Sequence, residues 1–245
     1  MKVDIIAQSI YPYNSPRSQR ATELAKEFAR LGHKVVLHGV LGDFDYSSFE
    51  KENNLKVKNI KEMAFAKLNS DGVNNSNVLL KICIRLFNYL LEFPNIEFIW
   101  KIPKVIKENK DTNLLITIGM PHPIHWGAAI ARIKNDKYTW IADCGDPYYM
   151  NKFKSHPFYF KYIEKFFCKK ADAILIPIEE ARNAYFSEFH NKIKVVPQGF
   201  NFKLEEIREK QKEINNPVVT FIYAGNFYEK NRNPTLFFKY LETLN

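Results

Sequence analysis

KVDIIAQSIYPYNSPRSQRATELAKEFARLGHKVVLHGV, residues 2–40, decides the fold, because it places two apolar runs on either side of one amphipathic helix. "KVDIIAQS" and "HKVVLHGV" read as strands, and "SPRSQRATELAKEFARLG" reads as the helix between them. The helix is marked at both ends. Ser15 is a good cap, Pro16 suits a first turn whose N–H is unpaired in any case, and Gly32 suits the left-handed exit. Ala21, Leu24, Ala25, Phe28 and Leu31 recur at the spacing of a single helical face. Strand, helix and strand together make a βαβ unit, which implies parallel pairing.

The same alternation continues outward from this unit. "LKVKNI" (55–60) follows, then two basic amphipathic stretches between about Asn77 and Lys110, then "NLLITIG" (113–119), continuously apolar as a strand covered on both faces must be. A helix over about Pro123–Lys134, the strand "YTWIAD", a helix ending at Lys170, the strand "DAILIPI", a helix over Glu179–Phe189 and "KIKVVPQG" complete the array. The sequence therefore predicts an α/β fold with a doubly wound parallel sheet, Rossmann-like. After it, Val218–Ala224 reads as one more strand, Gly225 as its turn, and Pro234 as the start of a helix bearing Leu236, Phe237, Tyr240 and Leu241.

Composition narrows the class. With 46% hydrophobic residues, 36 Lys and Arg against 27 Asp and Glu, and a formal charge of +9, the chain reads as a basic globular protein. No stretch reaches the roughly 18 apolar residues of a membrane span, and the N-terminus lacks a signal-peptide core, so the expected location is the cytoplasm. Cys83, Cys144 and Cys168 are scattered and form no CxxC pair, which supports neither disulfides nor zinc. The basic charge gathers on no single helix, and no zinc-finger, RRM or KH signature is present; nucleic acid is not the expected partner.

In a doubly wound sheet, ligands meet the loops at the carboxyl ends of strands. The first such loop, "IYPYNSPRSQR", puts Arg17 and Arg20 in the first turn of a helix, where the dipole disfavours cations. They call for an anion nearby, or else lie solvated along the sheet edge. The loop lacks GxGxxG, which speaks against a classical dinucleotide site. "GMPHPIHWG" carries His122 and His125, suited either to a sugar hydroxyl or phosphate or to a structural role; no further ligand at helical spacing completes a metal site. In "ADCGDPYY", Asp143 closes its strand and faces the crevice, whereas Asp146, before a proline, suits a helix cap.

The succession "RATELAKEFARLGHKVVLHGV", "WIADCGDPYY", "ADAILIPIEEARNAYF", "KIKVVPQGFN" and "FIYAGNFYEKNRNPTLFFKYL" resembles the family 4 glycosyltransferases of the GT-B fold over nearly the whole chain. The last three segments carry the resemblance most specifically. It implies two Rossmann-like lobes facing a cleft. Residues 1–215 correspond to the acceptor lobe and 216–245 to the incomplete start of the donor lobe that takes the nucleotide-sugar. Ser15, Arg17, Arg20, His122, His125 and Asp143 then fall to the acceptor, and Gly225, Asn226, Lys230 and Arg232 to the donor diphosphate. Asn226 stands where the family usually has its first cation, and a neutral donor replaces a charge-assisted contact about twice as strong. Gln198 and Asn201 stand where asparagine and aspartate are usual. The paired glutamates that hold the donor sugar belong deeper in the second lobe than these residues reach.

The resemblance implies sugar transfer with retention of configuration, with no cofactor and no metal, in cell-surface polysaccharide synthesis. A donor lobe supplied by a separate polypeptide and a non-catalytic glycan- or anion-binding module stay open as alternatives. A last expectation concerns residues 78–107, where Leu79, Ile82, Leu86, Phe87 and Trp100 are interleaved with Lys81, Arg85, Lys101, Lys104 and Lys107. That composition fits either two packed helices of the domain or peripheral contact with an anionic membrane; Glu92 and Glu97 interrupt its basic run.

Overall fold

The computed structural model describes residues 1–65, 78–133, 137–152, 154–199, 220–225, 227 and 233–243. The chain divides into two compact units, Met1–Gly199 and Phe200–Asn245. In the first, β1 (Lys2–Ile6), α1 (Pro16–Arg30), β2 (Lys34–Gly39), α2 (Ser47–Asn53) and β3 (Lys56–Asn59) lead to α3 (Val78–Leu91) and α4 (Phe98–Glu108). Next come β4 (Leu114–Ile118), α5 (Pro123–Ala131), β5 (Thr139–Asp143), α6 (Phe160–Lys170), β6 (Ala173–Ile176) and β7 (Ile193–Val195).

The seven strands form one sheet in the order β3-β2-β1-β4-β5-β6-β7. Every pairing is parallel. The chain winds outward from β1 to β3, then returns to lay β4 on the other side of β1, with Val3 level with Val35 on one flank and Leu114 on the other. That reversal opens a crevice beyond the carboxyl ends of β1 and β4.

Two cores cover the two faces. On one, Ala21, Ala25 and Ala29 let α1 lie close against Val3, Ile5, Leu37 and Ile116. On the other, Phe98, Ile102, Trp126, Trp140, Phe160 and Phe167 fill the space under α4, α5 and α6. Each such fully buried side chain contributes about 1.5–3 kcal/mol over its exposed state. A Cβ on Gly127 would fall 2.4 Å from the Phe98 carbonyl oxygen, so glycine is what lets α5 meet the start of α4. Asp4 and His38 are polar positions inside buried strands, and they satisfy each other: His38 Nε2 lies 2.7 Å from Asp4 Oδ1, and Thr112 donates to Asp4 Oδ2 at 2.6 Å.

α1 is built as its sequence dictates, with Ser15 Oγ accepting from the Ser18 amide at 3.1 Å and Gly32 at φ 82°. Elsewhere tertiary packing overrides local pattern. The helix expected over Glu179–Phe189 is two 3-10 segments, Glu179–Ala184 and Ser187–Lys192, because the chain extends at Tyr185 to sink that ring into the core. α5 stops at Ala131, with Arg132 extended at ψ 120°.

In the second unit, α7 (Thr235–Glu242) forms where Pro234 marks its start. Residues 220–224 of the expected strand are not in strand conformation, and among the described residues no neighbouring strand is there to pair with their backbone. Among the described residues, no helix is long and apolar enough to cross a membrane.

Candidate functional site

The loops after β1, β4 and β5 meet at the carboxyl edge of the sheet, and two arginines at the start of α1 tie that helix to the end of β5, the loop after it and the segment leaving β7. Arg20 Nε donates to Asp143 Oδ2 at 2.7 Å, and the two side chains are only 7% and 4% exposed. The other arms of the same guanidinium reach the Pro197 carbonyl at 2.9 Å and the Val196 carbonyl at 3.3 Å, on the segment leaving β7. Arg20 thus fastens α1, β5 and the exit from β7 at one point. Burial pushes the Asp143 carboxyl above its ordinary range, while Arg20 and then Arg17 pull against that rise.

Arg17 behaves differently. Its Nη2 donates to Asp146 Oδ2 at 2.8 Å in a pair whose side chains are 17% and 55% exposed. The guanidinium lies flat on Gly145, where an added Cβ would fall 1.4 Å from Nη1. No helix begins at Pro147, so Asp146 is no helix cap; it is the partner of Arg17. The anions that the two arginines called for are carboxylates of the chain itself. Of the two pairs, only Arg17–Asp146 is open enough for an incoming anion to exchange, since a solvated pair holds by about 0–1 kcal/mol.

The two histidines sit below this layer. Trp140 Nε1 donates to Thr117 Oγ1 at 2.9 Å, which directs the hydroxyl proton toward His125 Nδ1, 2.8 Å away. His125 Nε2 therefore carries its hydrogen and faces Cys144 Sγ at 3.5 Å. Burial above all holds His125 neutral, down to about 3. It is a core group, with both nitrogens engaged and no access to a ligand. His122 is also buried, with its ring 4.6 Å from Tyr148, but its Nδ1 has no hydrogen-bond partner. Burial, followed by the nearby His125 and Arg17, holds it well below the ordinary histidine range. Met120, just before it, is exposed and takes φ 66°, an uncommon conformation for a residue with a side chain.

Of the residues expected here, the structure thus brings Arg17, Arg20, Asp143 and His122 to one edge, uses Ser15 as the α1 cap, and places His125 in the core. Gly225 lies at an exposed bend of the second unit. Asn226, Lys230 and Arg232 lie outside the described residues.

Two carboxylates that sequence reading did not assign to the site, Glu164 and Glu92, support it from behind. Glu164, fully buried on α6, accepts from the Tyr149 amide at 3.4 Å and so holds the loop that carries Gly145 and Asp146. Burial raises its carboxyl to about 7, against the pull of the Tyr149 and Tyr148 amides. Glu92 accepts from Lys154 at 2.7 Å and from the Tyr148 hydroxyl at 3.2 Å. Glu164 was legible: in "FKYIEKFFCKK" it sits four residues after Phe160 and three before Phe167, a carboxylate on an apolar face.

No family model matches the chain, and no curated protein matches it. Solved structures do. A glycosyltransferase from Rickettsia africae aligns at a TM-score of 0.50 and 15% identity over 89% of this chain and 50% of its own. Alr3699/HepE of Anabaena in complex with UDP-glucose aligns at 0.51 and 12% identity over 88% of this chain and 51% of its own. The same protein with UDP and glucose aligns at 0.50 and 12% identity, over 86% and 50%. The chain spans about half the length of the structures it matches. At such identities the likeness speaks for the fold, which is α/β, doubly wound and Rossmann-like, the N-terminal half of a GT-B architecture.

Proposed function

We propose that residues 1–215 are the acceptor-binding lobe of a glycosyltransferase that uses a nucleotide-sugar. The observation that carries this is the solvent-open Arg17–Asp146 pair, set over Gly145 at the carboxyl edge of the sheet, in a fold shared with a protein named as a glycosyltransferase and with one solved in complex with UDP-glucose. In this reading Arg17 releases Asp146 to meet a hydroxyl-rich or anionic acceptor, and Arg20–Asp143 keeps the loops in place. The acceptor is a glycan or a lipid-linked sugar of cell-surface polysaccharide synthesis, reached from the cytoplasm. Residues 216–245 begin the donor lobe, with Gly225, Asn226, Lys230 and Arg232 toward the diphosphate. Transfer proceeds with retention of configuration, and basic side chains and helix dipoles rather than a metal neutralise the leaving group.

A second reading is that this chain is the acceptor subunit of a split transferase. It is favoured by the open apolar face of the second unit, where Phe221, Ile222, Phe227 and Phe237 line a cavity of about 750 Å³. A non-catalytic glycan- or anion-binding module is the remaining alternative.

Surface plasmon resonance on the immobilised chain tests the proposal, with free and lipid-linked oligosaccharides as analytes and Arg17→Ala as the site control. Saturable glycan binding that Arg17→Ala weakens supports it. Binding indifferent to Arg17, or a preference for RNA over every glycan, contradicts it.

A further inference from the structure

We propose that the exposed rings of Tyr11 and Phe44 form a stacking subsite for a neutral pyranose ring of the acceptor. The inference rests on the sugar-acceptor reading and adds to it a second contact, on the other side of β1 from the Arg17–Asp146 pair.

Tyr11 lies in the loop after β1, and Phe44 in the loop after β2. Their rings meet at 85° with centroids 5.6 Å apart, and each residue is 44% exposed, so together they make an open aromatic corner. The corner is held from behind. Tyr11 stacks on the buried Phe49 of α2 at 4.9 Å and 12°, and Tyr46 backs Phe44 at 4.9 Å and 75°. The Tyr11 amide donates to Oγ1 of the buried Thr22 on α1 at 3.0 Å. Asp45, next to Phe44, accepts from the Ser47 amide at 2.9 Å and from the Ser47 hydroxyl at 2.6 Å. Rings fixed in this way do not fold inward to hide their apolar surface, and a ligand that meets them has little ordering to impose.

Chemistry selects the occupant. The face of an aromatic ring is negative, and the C–H groups on one face of a pyranose are apolar and weakly positive, so the sugar stacks while its hydroxyls keep polar partners at the rim. Asp43 and Asp45 flank Phe44 and are exposed, and Asp43 is placed to accept from a sugar hydroxyl. The same carboxylates repel phosphate, which disfavours a nucleotide in this corner. The strand order sets the corner on the β2 side of β1, whereas Asp146 follows β5 on the other side. Three interstrand steps, roughly 14 Å, separate β2 from β5. A single pyranose is too short to span both contacts. The acceptor is therefore an oligosaccharide, with one ring in the aromatic corner and another part at Arg17–Asp146.

The test is surface plasmon resonance on the immobilised full chain, with neutral tetrasaccharides (cellotetraose, maltotetraose and lacto-N-tetraose), their monosaccharides, and UMP as analytes. A tetrasaccharide is expected to bind more tightly than its monosaccharides. Tyr11→Leu and Phe44→Ala are each expected to lower that affinity roughly tenfold, and Tyr11→Phe to stay within roughly twofold of the parent. Leucine keeps apolar bulk against Phe49, and thermal melts matching the parent separate lost stacking from lost fold. Glycan binding that depends on Arg17 but is unmoved by both ring variants overturns the proposal and leaves the acceptor reading standing. No glycan binding by the parent chain overturns both. UMP binding that the ring variants abolish, with glycans unaffected, overturns the proposal by assigning the corner to a base.

Discussion

The Arg20 guanidinium and the Asp143 carboxylate lie 2.7 Å apart, nearly sealed from solvent, and the same guanidinium holds two carbonyls of the segment leaving β7. Removing one partner strands the other. Asp143→Ala is therefore expected to cost about 3–5 kcal/mol in urea denaturation. The double variant with Arg20→Ala is expected to cost much less than the sum of the singles. Additive losses would mean that the pair does not act as a unit.

Gly145 is expected to matter only through Arg17. Alanine there displaces the guanidinium from its resting place 1.4 Å from the new Cβ, and so breaks the Arg17–Asp146 pair. With that pair half-solvated, stability falls by about 1 kcal/mol or less, whereas binding at the edge falls as far as in Arg17→Ala. In an Arg17→Ala background, Gly145→Ala should change neither quantity, as melting curves and the same binding assay would show.

Glu164 sets a dependence on pH in the neutral-to-acid range. Folded, its carboxyl titrates at about 7; unfolded, at the ordinary value of 4.5. The unfolded chain gives up this proton first, so the group's contribution to stability falls as pH rises from about 4.5 to about 7, by about 3 kcal/mol at most. Glu164→Gln should erase that fall and be the more stable form at pH 8. Parallel denaturation profiles of the two proteins from pH 4 to 8 would count against it.

His125 works in the opposite direction. Folded it stays neutral down to about 3, whereas the unfolded imidazole charges below 6.5, so its contribution is complete above that value and is lost as pH falls toward 3. The difference in urea midpoint between the parent and His125→Asn should shrink steadily as the pH is lowered from 7 to 4.

How much of this was readable from sequence depends on the range of the force involved. α1, with Ser15, Pro16 and Gly32, announced itself because caps and amphipathic spacing are local. The apolar strand "NLLITIG" likewise told of a sheet covered on both faces. Tyr185 shows the limit: a helical pattern gave way to an extended residue because a distant cavity wanted its ring. At the site, the sequence placed Arg17, Arg20, His122 and Asp143 at one edge, since topology alone takes loops there. It did not show that Arg20 and Asp143 would choose each other across 123 residues, or that Gly145 would seat Arg17. Asp146 looked like a cap because a proline followed it, yet the cap had no helix to serve.

The central claim is that the carboxyl edge of this sheet receives a sugar acceptor, and a two-dimensional amide NMR titration of the full chain tests it most directly. With oligosaccharide fragments of cell-surface polysaccharides, saturable shifts are predicted at Gln8–Ser9, Gly119–His122 and Cys144–Asp146, and are predicted to disappear in Arg17→Ala. Shifts confined to other surfaces, or unmoved loops after β1, β4 and β5 with every glycan tried, would contradict it.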